Sequence, residues 1–272
     1  MKRRIFMLAT CLLVASIAIL AFDAKVVEAQ IIEDGLLIYY SYDADTVKGD
    51  IVTDLSGNGY DGLLKTNNLK VAKGKVGDAM EFPGGVPNYI SVKKYQMTKP
   101  IDGLSLAAWI KTPMRGMIAS WDRSEFFRFT AGDDFLGNLE FIAFDTCCGC
   151  CHDWHGQTKV TDDKWHHVAA TFDGKEKRIY VDGKLDEKVN APAKVIGAGA
   201  ARFGFIGVGS EAGAFDGGVG PTFVFTGLMD EFVMYDRGLS EKEYLQIFNA
   251  KGFSVEPQGK LAMSWGKIKA LR

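Results

Sequence analysis

Short apolar or alternating runs closed by turn-forming pairs dominate this sequence, and they leave few folds open. Leu36-Leu37-Ile38-Tyr39-Tyr40, Tyr89-Ile90-Ser91-Val92, Leu104 to Ile110 and Met117 to Trp121 are of this kind. Phe126 to Phe129, Leu139 to Phe144, His167 to Phe172, Arg178 to Val181, Phe203 to Ile206 and Leu228 to Tyr235 continue the series. Asn58-Gly59, Asp61-Gly62, Asp102-Gly103, Asp173-Gly174 and Asp182-Gly183 punctuate them. Such pairs accept the positive φ of tight hairpin turns at little steric cost. Many short strands with regular turns predict a β-sandwich or barrel and exclude alternating β/α units. One segment reads as a helix: Ser240 with Glu243 three residues on is a capping box, Leu239, Tyr244, Ile247 and Phe248 fall at helical spacing, and Gly252 ends the pattern.

The first 29 residues read as a targeting segment. Lys2, Arg3 and Arg4 precede an apolar run from Ile5 to Phe22, and Val27-Glu28-Ala29 supplies small residues for cleavage before Gln30. The reading is a signal peptide over 1–29, with export to the cell surface, the periplasm or the medium. The alternative is an uncleaved anchor, because the run approaches the length of a membrane span. Residues 30–252 then form one domain, and 253–272 a weakly periodic tail with Lys260, Trp265, Lys267, Lys269 and Arg272. A formal net charge of −2 on 272 residues supplies no electrostatic case for nucleic acid.

Five phrases in order carry a resemblance to the laminin G-like, concanavalin A-like jellyroll family. Asp54-Leu55-Ser56-Gly57-Asn58-Gly59-Tyr60-Asp61-Gly62 is similar to its opening turn, and Gly77 to Phe82 followed by Tyr89 to Val92 to a hairpin after it. Leu106-Ala107-Ala108-Trp109-Ile110 matches a core strand, and Trp165-His166-His167-Val168-Ala169 with Ile179-Tyr180-Val181-Asp182-Gly183 is the most recognisable pair. Phe225 to Phe232, with Asp236-Arg237-Gly238-Leu239-Ser240, resembles the closing segment. The resemblance runs from about Leu36 to Phe248 and implies an all-β, two-sheet antiparallel jellyroll sandwich with one short C-terminal helix. Trp109 and Trp165 are then expected as core anchors, since each indole buries a large apolar area. In the closing strand, period two puts Asp230, Phe232 and Met234 on one face and Glu231, Val233 and Tyr235 on the other.

The resemblance also implies calcium at the sandwich rim, with Asp54, Asn58 and Asp230 as the residues to carry over. Asp54, Ser56 and Asn58 alternate like the opening of an EF-hand loop, but Lys65 occupies the twelfth position where a bidentate glutamate belongs, so an EF-hand is excluded. The competing reading of Asp54 and Asn58 is a turn cap. Cys147, Cys148, Cys150 and Cys151 fall outside the family pattern. In an oxidising compartment four clustered cysteines read as two local disulfides, and a zinc or copper site involving the adjacent His152 and His155 is the alternative.

Catalytic patterns are missing: no closely spaced glucanase carboxylates, no G-x-S-x-G and no H-E-x-x-H occur. The expectation is a non-enzymatic recognition or adhesion module for extracellular glycans or glycoproteins. Trp154, His155, Glu211, Phe215 and Asp216, on long loops, are the expected ligand contacts because they mix rings with acceptor groups. The alternatives are a divergent glycan hydrolase or lyase and a purely structural envelope or matrix protein.

Overall fold

The computed structural model describes residues 31–122, 125–133, 137–147, 154–191, 193–197, 199–209 and 223–250. The expected signal peptide, most of the cysteine cluster and the C-terminal tail lie outside the described residues. In chain order the strands begin with β1 (Leu36–Tyr40), β2 (Val47–Lys48), β3 (Ile51–Val52), β4 (Gly62–Leu64), β5 (Lys70–Lys73) and β6 (Asp78–Pro83). There follow β7 (Ile90–Met97), β8 (Leu104–Lys111), β9 (Gly116–Ser120), β10 (Phe127–Asp133), β11 (Asn138–Thr146) and β12 (His155–Lys159). The last are β13 (Trp165–Phe172), β14 (Glu176–Val181), β15 (Lys184–Asn190), β16 (Arg202–Ile206) and β17 (Thr226–Tyr235), and then the helix α1 (Glu241–Phe248).

The strands form two antiparallel sheets, as the jellyroll resemblance implies. Sheet I runs β15-β14-β13-β8-β17-β6-β5, with β1 also paired to β17; sheet II runs β12-β11-β10-β9-β16-β7-β4-β3-β2. The segment similar to a family hairpin divides between the layers: β6 lies in sheet I and β7 in sheet II. The Asp173-Gly174 and Asp182-Gly183 pairs do make the turns flanking β14, with Gly174, Asp182 and Gly183 all at positive φ.

Between the sheets lies one apolar core. Sheet I contributes Ile38, Phe82, Leu106, Ile110, Val168, Ile179, Phe232 and Met234; sheet II contributes Ile90, Val92, Ile118, Phe127, Phe129, Ile142, Phe144 and Ile206. Its largest fully buried side chain is Trp121, stacked on Phe127 at 5.5 Å and meeting Tyr95 edge-on at 5.9 Å. A Cβ at Gly204 would come within 1.9 Å of the Trp121 ring, so the strand opposite must carry glycine there. Trp165, expected as an anchor, is only half-buried, because it opens β13 opposite Lys111 at the sheet's end. Trp109 is buried, but on the outer face of sheet I, between His167 and Phe248.

That outer face holds a second apolar cluster: Leu36, Tyr39, Ala107, Ala169, Tyr180, Val233 and Tyr235, covered by Leu239, Tyr244 and Ile247 from α1 and its approach. Ile31 and Ile32 pack on the same cluster. The capping box is present, with Ser240 accepting from the Glu243 N–H and Glu243 accepting from the Ser240 N–H. Where edge strands β12 and β15 meet across the layers, Asp186 accepts the Gln157 and Thr158 N–H groups and the Thr158 hydroxyl. This satisfies donors that an open edge would offer to another chain. No helix among the described residues is long and apolar enough to cross a membrane.

Replacing Trp121 by alanine should cost about 3–5 kcal/mol, as truncation of a fully buried large ring does. Trp165→Ala should cost clearly less, and Gly204→Ala should be destabilising through overpacking. Urea denaturation of the three variants checks this order; equal losses at Trp121 and Trp165 would contradict the assigned core.

Candidate functional site

β17 is kinked at its centre. Its first half pairs with β6 and its second with β1, and the change of neighbour falls at Asp230 and Glu231. Glu231 takes φ +52°, and the pairing with β8 slips between Asp230 and Val233. This is a β-bulge, which adds a residue and re-aims the side chains beside it. Strict period two therefore fails. Asp230 pairs with Trp109 on the outer face of sheet I, away from Phe232 and Met234, whose side chains enter the core.

Both carboxyls are shut from solvent, Asp230 at 0% and Glu231 at 7% exposure. Asp230 Oδ2 accepts the N–H groups of Lys75 (2.9 Å) and Val76 (2.8 Å), while the Tyr39 hydroxyl donates to Glu231 Oε2 at 2.8 Å. Burial pushes Asp230 up to about 7 against those N–H bonds, with the Asp43 charge adding to the rise. Burial and then the charge of Asp230 push Glu231 up to about 8.

The other residues expected at a calcium site sit elsewhere in the fold. Asp54 Oδ1 accepts the Tyr39 and Ser56 N–H groups at 3.0 Å each, and Oδ2 accepts the Tyr60 N–H at 2.9 Å. Asn58 donates through Nδ2 to the Leu36 and Leu37 carbonyls. Both side chains help build the turn, Asp54 through its two oxygens and Asn58 through its amide nitrogen. Asp230 differs: its buried Oδ1 has no hydrogen-bond partner, which fits a cation ligand. Among the described residues, no three His, Cys, Asp or Glu side chains gather as a metal site of side chains alone would require.

The outer face of sheet II carries a second polar set. Ser120 pairs with Arg128 and Arg128 with Asp145, while Thr130 pairs with Ala143 and Ala143 with His155. Directly paired residues point to one side of a sheet, so Arg128, Asp145 and His155 share this face. Arg128 Nη2 lies 2.6 Å from Asp133, its Nε bonds to Asp145, and all three are buried. The guanidinium of Arg128 lies 5.4 Å from the Phe223 ring centre, and that of Arg115 lies 5.7 Å from it. At the sheet's margin, half-buried His155 and Phe141 place their rings 5.7 Å apart at 30°.

Of the expected ligand contacts, His155 is therefore on this face. Trp154 packs against the core, with Lys177 Nζ 5.9 Å from its ring centre. Glu211, Phe215 and Asp216 lie outside the described residues, as do Cys148, Cys150 and Cys151. Cys147 is buried after β11, with its Sγ against the Glu125 carbonyl. Phe141 was not singled out in the sequence, although alternation through Phe141-Ile142-Ala143-Phe144-Asp145 puts it on the face of Asp145. The pairing of Arg128 with Asp145 depends on the β10–β11 register, which no local pattern encodes.

The family model described as the concanavalin A-like lectin/glucanases superfamily matches residues 84–243. The chain belongs to that superfamily. Among solved structures, the binding domain of Paraclostridial Mosquitocidal Protein 1 is similar at 16% identity and TM-score 0.59, over 80% of this chain and 52% of that one. Domain 4 of AbnA, a GH43 extracellular arabinanase from Geobacillus stearothermophilus solved with arabinotriose, gives 18% identity and TM-score 0.56, over 80% of this chain and 100% of that one. The binding domain of Botulinum neurotoxin DC in complex with SialylT gives 12% and 0.57, over 82% of this chain and 53% of that one. The chain thus spans about half the length of the two toxin structures. At these identities the superfamily member shares their fold. No curated protein matches the chain.

The bulge carboxyls give this superfamily member a pH signature. With both pKa values raised above the ordinary range near 4, the folded state holds protons that the unfolded chain releases. Their contribution is present below about pH 4 and is lost as pH rises through about 7 and 8. In chelator, stability should fall between pH 5 and 8, and Asp230→Asn with Glu231→Gln should flatten that fall. A slope unchanged by the pair of substitutions would contradict the assignment.

Proposed function

We propose that this chain is an exported, non-catalytic recognition module for carbohydrate or glycoprotein, binding at the β10–β12 end of sheet II's outer face. The observation that carries the reading is the match over the full length of an arabinanase domain solved with arabinotriose. The ring pair of Phe141 and His155 supports the location, because half-exposed rings stack on the apolar faces of sugars. Export rests on the leader over residues 1–29, and two local disulfides among Cys147, Cys148, Cys150 and Cys151 would suit that compartment.

The carboxyl groups favour binding over hydrolysis. A glycosidase needs two carboxyls facing one sugar. Asp133 and Asp145 are buried on one guanidinium, and Asp230 with Glu231 is closed from solvent.

Calcium belongs to this proposal at Asp230, with backbone carbonyls completing the oxygen shell that the ion takes. Bound there, it would supply positive charge against Asp230, Glu231 and Asp43. Millimolar calcium should then raise the melting temperature at neutral pH, in proportion to the logarithm of free ion. Asp230→Asn should abolish the rise; identical curves for the parent chain in calcium and in chelator would remove calcium from the proposal.

A glycan array probed with the chain from Gln30 onward tests the binding itself. Phe141→Ala and His155→Ala should each weaken any glycan captured by roughly two- to tenfold, the range expected for losing one ring contact. No captured glycan would overturn the function, and capture unaffected by both variants would overturn the location.

A further inference from the structure

His166 opens β13 between two carboxylates. Its Nδ1 lies 2.7 Å from Asp182 Oδ2, in the turn joining β14 to β15, and its Nε2 lies 3.0 Å from Asp162 Oδ1, in the turn before β13. A neutral imidazole has one N–H and one lone pair, so it satisfies one of these acceptors and opposes a lone pair to the other. Only the doubly protonated ring donates to both. The ring is 12% exposed, so water replaces neither contact freely.

What the ring holds reaches further than the two turns. Asp182 Oδ1 also accepts the His167 N–H at 2.9 Å, and Gly183 N–H donates to the Tyr244 hydroxyl of α1 at 3.0 Å. The β14–β15 hairpin and the start of α1 form two walls of a groove of about 470 Å³, with Arg178, Tyr180, Leu185 and Lys188 on one side and Leu239 and Glu241 on the other. The turn at Asp182-Gly183 is where the hairpin is pinned against the helix.

We propose that His166 is a proton-operated latch: its imidazolium ties the Asp182-Gly183 turn to the turn at Asp162, and loss of one ring proton loosens the Asp182-Gly183 turn and β15 beside α1, while β14 stays paired to β13. The charged and titratable groups around it agree. Lys164 Nζ, 2.6 Å from Asp162 Oδ2, shares that carboxylate. β8 places the apolar Ile110 opposite His166. His167 is held neutral by burial, pushed down to about 3, and meets Tyr244 on the other side of the sheet.

The hydrogen bond donated to Asp182, against a smaller effect of burial, holds His166 above its ordinary value. Bonds from Lys164 and then His166 hold Asp162 below the usual carboxylate range. The histidine's contribution is fully present below about pH 6.5 and is lost as pH rises through its raised folded value. That of Asp162 is present above about pH 4 and is lost as pH falls through its lowered value. The latch is therefore closed in mild acid and opens as pH rises through the raised value of His166.

The test is an NMR titration of the His166 ring in the full chain, paired with amide exchange of Gly183 and β15 corrected for intrinsic rate. The His166 midpoint should lie above about 6.5 and drop by about one unit or more in Asp162→Asn, since a neighbouring opposite charge shifts a pKa by that much. Protection of Gly183 and β15 should fall through the same midpoint, and in His166→Gln it should be low at every pH. A midpoint at or below the ordinary value, or one insensitive to Asp162→Asn, would overturn the latch. So would protection that stays flat while the ring titrates. The parent chain and Asp162→Asn decide the question even where His166→Gln does not fold.

Discussion

The extra residue in β17 is the constraint around which sheet I is arranged. β17 lies between β8 on one side and β6 and then β1 on the other, so any error in its phase would propagate to every strand it touches. Regular alternation would drive the Asp230 carboxyl into the core beside Phe232 and Met234, and an unpaired carboxylate there costs several kcal/mol. The αL turn at Glu231 resets the phase. It keeps Met229, Phe232 and Met234 inward and delivers two carboxyls to the outer face, where the 75–76 backbone and the Tyr39 hydroxyl meet them. The cost of an unusual backbone angle is set against a core free of charge.

The two faces of that sheet solve different problems. Inside, aliphatic and aromatic side chains from both layers interlock around Trp121 with no room to spare, down to the bare Cα of Gly204. Outside, a single eight-residue helix covers the apolar stripe through Tyr244, Ile247 and Phe248, and its position depends on the cap at Ser240. Arg237 reinforces the approach, reaching Glu243 at 2.7 Å and the Asp34 carbonyl at 3.0 Å. The N-terminal stretch and the C-terminal helix are therefore bound to one surface by the same side chain.

Features that depend on neighbours in sequence were legible; those that depend on partners across the fold were not. Strand runs, the Asx-Gly turns around β14 and the Ser240–Glu243 box are local, and the structure contains them. The β17 bulge was hidden because a slipped register is a property of three strands together. Trp165 was misjudged as a core anchor for a related reason: a tryptophan at the first position of a strand has neighbours within the sheet on one side only, which its type does not reveal. The donors that meet Asp54 come from Tyr39, Ser56 and Tyr60, two of them close in sequence, so the turn cap was foreseeable while the donor from β1 was not. On sheet II, only the β10–β11 pairing joins Arg128 to Asp145 and makes a polar set out of scattered residues.

Ile31 and Ile32 enter on the helix-covered side of sheet I, and α1 leaves Ala250 on that side as well. The described residues therefore begin and end on the same surface, with the whole thickness of the sandwich between that surface and the outer face of sheet II. Attachment through either end, to a bead, a bilayer or a neighbouring domain, would orient the molecule alike, holding the Phe141–His155 margin away from the support. Several units fixed side by side in this way would display one face in common, and whatever contact that face makes would be multiplied by their number.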